Sequence, residues 1–331
     1  MATNARPGRD EFGIIADILA PLAAATPGAF GLEDDAASLT VTPGHELIVT
    51  KDALVAGVHF LADDEAGAVA RKLLRVNLSD LAAMGAAPRW YLMALALPRD
   101  LDEGWLWRFA EGLRADQEAF GIALAGGDIV ATEGALTLTL TALGEVPAGA
   151  ALRRAGAGAG DLVYVSGSIG DGALGLKAAR GELEGLDDAH RAYLAGRYRL
   201  PRPRIDLGQR LRGLARAAID VSDGLAADLG HLCQVSGRGA EVEAERVPLS
   251  AAARAAIAAE PALLSTALTG GDDYELLFAA PPEAEAELAA LAAELALPLT
   301  AIGRITEEGG VRLRDGRGVP LDLAAGGYRH F

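Results

Sequence analysis

The sequence predicts an α/β fold, layered sheets and helices in the α+β manner, divided into two domains. Three observations predict it. Strand-like and helix-like segments alternate along nearly the whole chain, the pattern of packed α/β layers. The length, 331 residues, suffices for two substantial cores. An Ala/Gly-rich stretch, AGAALRRAGAGAGD from Ala148 to Asp161, interrupts the alternation and reads as a junction. The expected domains are therefore 1–148 and 149–331.

Apolar Phe12, Ile15, Ile18, Leu19 and Leu22 recur at helical spacing, so a helix is expected over Glu11–Leu22. Two short strands, Ala37–Val41 and Glu46–Thr50, should flank a turn at Pro43-Gly44. Ala66–Met84 reads as a helix stopped by Gly85 and Pro88. A strand at Trp90–Leu97, a helix at Glu103–Phe120 and strands at Ile122–Ala125 and Leu136–Leu143 complete the first half. The second half restarts with the strand DLVYVSG, a glycine-rich turn and a helix at Ala173–Arg180. Helices fill residues 187–215, and a strand ending at Asp220 leads into a helix at Gly224–Val235. Strands at Glu241–Val247, Tyr274–Ala279 and Leu299–Ile305 alternate with an Ala-rich helix and with Glu283–Leu295. The triplet GGD occurs in both halves, at Gly126–Asp128 and Gly270–Asp272, a weak echo of a repeat.

The formal net charge of −16, from 30 Lys+Arg against 46 Asp+Glu, disfavours nucleic acid and anionic membrane as partners. It also disfavours a free nucleotide unless cations neutralise the site. One cysteine, Cys233, excludes an internal disulfide and a Cys-based zinc site, and fits a reducing compartment. No apolar run is long enough to span a bilayer, and MATNARPGRDEFG has no apolar signal core. The cytoplasm is the expected location.

Acidic residues recur at the ends of apolar runs. Asp34-Asp35 lie in GLEDDAASL, Asp52 closes ELIVTKD, Asp80 lies in VNLSDLAAMGA, and Asp128 follows LAGG. Asp220 and Asp223 frame IDVSDGL, and Asp272-Asp273 follow LTGG. Hard carboxylate oxygens suit Mg²⁺, which takes one or two of them together with substrate phosphates. Phosphoryl transfer is the first hypothesis. Each site also has an ordinary reading. A lone Asp pair is commonly a solvated turn, and a GGD is commonly a tight turn. Helical periodicity leaves Asp80 open between a buried, partnered group and an exposed one, with Asn77 one turn earlier on its side. IDVSDGL carries more: an N-cap explains Ser222 or Asp223 but not Asp220, which stands at a strand's carboxyl end, where α/β sheets gather ligands.

SGSIGDGALG, from Ser166, has the strand–glycine–helix order of a phosphate loop but not its spacing. A packing turn is the expected reading. No GxxxxGK[ST] and no HRD or DFG set occurs in the chain. His59 is expected to be structural on its own, and Pro201–Arg204 to be a helix-breaking loop.

The ordered strings DDAA, TKDALVAGVHF, VNLSDLAAMGAAP, GGD, LRRAGAGAGD, SGSIGDGALG, AIDVSDGLAADLGHL, GGDDYELLF and GYRHF resemble the thiamine-monophosphate kinases. They extend from Asp34 to Phe331. The wider superfamily includes aminoimidazole-ribonucleotide synthetase, selenophosphate synthetase and a hydrogenase maturation factor. The last two generally need a Cys or selenocysteine near one terminus, which this chain lacks.

The resemblance implies two domains of mixed sheet and packed helices, the first binding Mg²⁺ and ATP and pairing into a homodimer, the second completing the site. It implies ATP-dependent phosphorylation of thiamine monophosphate to thiamine diphosphate. By motif, Asp35, Thr50, Asp52, Asp80, Asp128, Asp220 and Asp223 would hold Mg²⁺, with Asp80, Asp128 and Asp220 central to catalysis and Asp34 left open. Gly127, Asp128, Arg154 and Ser222 would contact ATP. His59, Asp272 and Tyr328 would contact thiamine monophosphate. Three residues depart from the family pattern: Glu33 for Gly, Lys51 for Thr, and Asp272 for Glu. Lys51 removes a hydroxyl and offers a cation to a carboxylate or phosphate. Asp272 keeps its charge with one methylene less reach. Another ATP-dependent superfamily member is the nearest alternative, and a non-catalytic nucleotide- or metal-binding regulator is the alternative of another class.

Overall fold

The computed structural model describes residues 10–321. They fall into two compact units, one from residues up to Asn77 with Pro88–Glu145, the other from Leu78–Ala87 with Val146 onward.

The first unit opens with α1, Glu11–Ile14, capped by the Asp10 side chain, which accepts from Gly13 N at 2.9 Å. The run continues as a π turn over Ile15–Leu19 and a 3₁₀ turn over Ala20–Ala23, so the helix expected there is present but irregular. Its apolar face buries Ile18, Leu19 and Leu22. Then come β1 (His45–Val55), α2 (Ala66–Ala83, whose end from Leu78 onward counts with the second unit), β2 (Ala87–Pro98), α3 (Glu103–Phe120), β3 (Ala123–Thr132) and β4 (Thr137–Pro147). The four strands lie in the order β1-β4-β2-β3. β2 and β3 are parallel, joined by the crossover helix α3. Gly67 of α2 meets Gly112 of α3 at backbone contact, and a Cβ on Gly112 would drive into the Gly67 carbonyl. A buried fork fixes this crossing. Arg75 Nε donates to Asp116 Oδ2 at 2.6 Å and Nη2 to Oδ1 at 2.9 Å.

Two expectations fail here. Residues 37–41 form no strand; Ser38 N donates to Gly28 O at 2.8 Å, while Ala37 and Leu39 wall a cleft instead of joining a ladder. The strand expected to end at Ala125 runs on through Gly126, Gly127 and Asp128 to Thr132, because β3 goes on pairing with β2 after a bulge at Ala125 that shifts the register by one residue. The GGD is part of a strand, not a turn.

The second unit holds β5 (Leu162–Ser166), α4 (Asp171–Ala179), α5 (Asp188–Arg199), α6 (Ile205–Leu211), β6 (Ala217–Asp220) and α7 (Leu225–Ser236). β7 (Gly239–Glu243), α8 (Ala251–Ala259), α9 (Leu263–Thr269), β8 (Leu276–Ala280), α10 (Glu285–Glu294), β9 (Leu299–Thr306) and β10 (Gly310–Arg314) follow. The six strands lie in the order β10-β7-β9-β5-β8-β6. The sheet is mixed, with β10–β7 parallel and β5 antiparallel to both β8 and β9. Val163, Val165, Ile219, Leu277 and Ile302 pack from the sheet against Leu229 and Leu232 of α7. A second cluster, with Leu174, Leu194, Ala253 and Leu263, binds α4, α5, α8 and α9 together. β10 and α9 were not expected. β10 is a short edge strand with two arginines, whose pattern is too brief to separate from a loop.

Candidate functional site

In the first unit, Asp34, Asp35, Gly126, Gly127 and Asp128 line one cleft of about 470 Å³. Its other walls are aliphatic, from Ile15, Leu19 and Leu39, and no Lys or Arg is among the lining residues described. All three carboxylates are exposed. The left-handed turn at Phe30, Gly31 and Leu32 swings the chain so that the acidic pair faces the β3 glycines. Gly127 is required there, since a Cβ would collide with the Met93 carbonyl on β2. Glu33, in place of the family's usual glycine, is exposed at the end of that turn.

On β1 the side chains alternate. Ile48, Thr50, Asp52 and Leu54 take the more buried positions; Leu47, Val49 and Lys51 take the exposed ones. Thr50 and Asp52 therefore share a face. Lys51 lies on the opposite one, its Nζ donating to Thr139 Oγ1 at 3.5 Å, so strand periodicity turns it away from Asp52. His59 is held by its backbone and its ring. Its Nδ1 accepts from Val55 N at 3.0 Å, and its carbonyl accepts from the buried Lys72 Nζ at 3.1 Å. That bond puts the proton of a neutral His59 ring on Nε2.

In the second unit, Asp80 is half-buried near the end of α2. One residue earlier, buried Ser79 donates its hydroxyl to buried Asp220 Oδ2 at 2.7 Å. The two expected metal-binding motifs, NLSD and IDVSD, thus meet through a side chain that was not singled out. Ser222 and Asp223 are half-buried. Neither caps α7, contrary to expectation. Asp228, one turn inside the helix, reaches back and accepts from Asp223 N at 3.0 Å and Gly224 N at 3.1 Å. Burial, and then the Asp223 carboxylate, push Asp228 up to about 7. Arg154 is exposed, its carbonyl accepting from Ser236 Oγ at 3.2 Å. Asp272 is half-buried, and Tyr328 lies outside the described residues.

The glycine-rich loop after β5 is a packing turn whose donors are already used. Gly170 N and Gly172 N donate to the two oxygens of Asp273, at 2.7 and 2.8 Å. An internal carboxylate stands where a phosphate would need to be. Burial holds Asp273 well above the usual carboxylate range. Its side chain is turned inward onto those backbone N–H groups. Cys233 is buried and pushed up to about 11, so it is held as an inert thiol.

Among the described residues no three of His, Cys, Asp and Glu enclose a metal ion by themselves. The donor chemistry still fits Mg²⁺, which completes its shell with water and phosphate oxygens. The cleft's acids with no lining cation are of that kind.

Residues 33–146 match the family described as AIR synthase related protein, N-terminal domain, and 158–316 match its C-terminal domain. The chain is 45% identical over 304 residues to thiamine-monophosphate kinase of Caulobacter vibrioides, covering 91% of this chain and 85% of that protein. A crystal structure of thiamine-monophosphate kinase from Stenotrophomonas maltophilia K279a superposes with a TM-score of 0.79 at 44% identity, over 85% of this chain and 89% of that one. AaThiL complexed with AMPPCP and TMP superposes with a TM-score of 0.78 at 33% identity, over 92% of this chain and 97% of that one.

Proposed function

Because this chain belongs to the thiamine-monophosphate kinase family, we propose that it uses ATP to phosphorylate thiamine monophosphate, giving thiamine diphosphate and ADP. The observation that carries the reading is the relative solved with AMPPCP and TMP, matched over 92% of this chain. AMPPCP stands in for ATP, its bridging carbon blocking cleavage of the terminal phosphoryl.

The acceptor is itself a phosphate, with a second pKa of about 6, so it is largely dianionic at neutral pH. No side chain has to remove a proton to make the nucleophile. The barrier to overcome is repulsion between two anions, and positioning with charge neutralisation addresses it. In this reading Asp35, Thr50, Asp52, Asp80, Asp128, Asp220 and Asp223 would hold Mg²⁺, which would supply the positive charge that offsets phosphate repulsion. Asp128 lines the first unit's cleft from a strand; in the second unit Asp80 stands on a helix and Asp220 at a strand end braced by Ser79, which are rigid platforms. Gly127 gives close backbone approach, and Ser222 and Arg154 offer donors to ATP. His59, Asp272 and Tyr328 contact thiamine monophosphate, whose cationic thiazolium suits an acidic wall and an aromatic ring.

The same reading assigns residues 1–148 to Mg²⁺ and ATP binding and to dimerisation, and 149–331 to completing the site. It makes the protein a cytoplasmic homodimer without nucleic-acid or membrane partners. No helix of the described residues is long and apolar enough to cross a membrane. The test is ADP release with thiamine monophosphate, with and without Mg²⁺. ADP together with thiamine diphosphate, dependent on the cation, supports the reading. ATP binding without turnover, or ADP with a different product, overturns it.

A further inference from the structure

The segment Gly270–Glu275 carries three consecutive features that the activity alone does not explain. Asp272 and Tyr274 both have left-handed backbone, φ 71° and φ 52°. For a bulky residue such as Tyr this is a genuine outlier, and it persists only where the surroundings over-determine it.

The surroundings do so. Asp272 N donates to Ser222 O at 2.9 Å and Tyr274 N to Val221 O at 2.8 Å, tying both strained residues to the segment after β6. Between them Asp273, 1% exposed, points inward and accepts from Gly170 N and Gly172 N. The close approach requires glycine at 172, where a Cβ would meet the Asp272 carbonyl. Glu275, fully buried, then anchors the far end. It accepts from Ser166 Oγ at 2.6 Å, Arg204 Nε at 2.6 Å and Arg197 Nη2 at 3.1 Å. The chain is pinned on both sides of Asp272, whose half-exposed carboxylate accepts from Tyr274 Oη at 3.2 Å.

We propose that Tyr274 and Asp273 are positioning residues for Asp272: Tyr274 orients its carboxylate through the hydroxyl, and Asp273 holds its backbone by clamping the glycine-rich loop. This rests on the reading above, in which Asp272 contacts thiamine monophosphate. A carboxylate fixed before the substrate arrives costs no ordering on binding. Asp272 is shorter than the Glu usual in the family, so it has one less rotatable bond to freeze and depends more on where its backbone is held.

Steady-state kinetics of Tyr274→Phe, Asp272→Ala, the double variant and Asp273→Asn test this, with the full-length protein, ATP–Mg²⁺ and thiamine monophosphate. Tyr274→Phe removes one hydroxyl and keeps the ring, so it should fold with an unchanged melting temperature. Its KM for thiamine monophosphate should rise about threefold to tenfold, the worth of one hydrogen bond, with kcat and the KM for ATP within about twofold. The double variant should equal Asp272→Ala alone, because Tyr274 acts through Asp272. Asp273→Asn, which replaces one acceptor by a donor facing a backbone N–H, should shift the same KM selectively. Additive effects of Tyr274→Phe and Asp272→Ala, equal shifts in both KM values, or no shift with Tyr274→Phe would overturn the inference while wild-type turnover leaves the proposed function standing. Should Asp273→Asn fail to fold, the Tyr274 arm decides alone. An Asp272→Ala protein with an unchanged KM for thiamine monophosphate overturns both the substrate contact and the inference. Absence of wild-type turnover sinks the functional reading itself.

Discussion

Ser79 and Asp220, separated by 141 positions in sequence, are joined by a 2.7 Å hydrogen bond between two buried side chains. The bond fixes which way the Asp220 carboxylate faces and ties the end of α2 to the end of β6. Replacing Ser79 by Ala removes one donor from a buried carboxylate. A loss of about 1–3 kcal/mol is expected, seen as a melting temperature lower by several degrees. The apparent Mg²⁺ requirement should rise in the same variant, since Asp220 is a proposed ligand. Thermal melts and Mg²⁺ titration of ADP release check both. An unchanged protein on both counts would remove the brace from the account.

Asp80→Asn should lose activity by about 10³-fold or more, because an amide carries no charge to neutralise a cation. Asp80 is only half-buried, near the C-terminal end of α2, so the melting temperature should hold. The check is ADP release alongside circular dichroism. Full turnover by a folded variant would sink the assignment of metal ligands.

Much of this was legible in the chain and some was not, for separable reasons. Long periodic segments are legible: α3 spans Glu103–Phe120 as expected, because eighteen residues carry enough apolar repeats to fix period and ends. Asp128 was found by its glycines, but its setting in a strand was not, since Gly-Gly reads as a turn unless the neighbouring strand is known. The acids were legible as types and not as directions. In Asp272-Asp273 one side chain faces outward and the next is buried on backbone N–H groups, a difference set by left-handed dihedrals that no spacing reveals. Ser79 is not legible in the sequence, because a serine in a helix has an ordinary solvated reading and only its partner 141 positions away gives it a role.

A homodimer is expected in solution. On β1, an edge strand of its sheet, Val49 is 57% exposed and Leu47 38%. Alternation places both on the outward face with Lys51. Exposed apolar residues on an edge strand mark a surface for association, and closed two-fold pairing is the commonest oligomer. Light scattering at micromolar concentration should give twice the chain mass for the wild type and the single chain mass for Val49→Asp. A monomeric wild type would contradict the expectation.

Thiamine monophosphate should be accepted and unphosphorylated thiamine refused. A hydroxyl acceptor has a far higher pKa than a phosphate and needs a base to take its proton. Among the described residues of the site, those that could serve are already engaged. His59 Nδ1 is committed to the Val55 amide, and Asp273 and Glu275 are buried against backbone and arginine donors. The exposed acids of the first unit are proposed metal ligands and would be engaged by cations when the enzyme is active. Thiamine also lacks the phosphate oxygens that would complete Mg²⁺ coordination. Losing such charge-assisted contacts is worth several kcal/mol of transition-state binding, on the order of 10³-fold in rate. The measurement is kcat/KM for each acceptor with ATP–Mg²⁺. A ratio of at least about 10³ in favour of the monophosphate agrees with a phosphate nucleophile. Comparable values would mean that the hydroxyl is activated by a group not recognised as a base, and the mechanism proposed for the Asp cluster would fall with it.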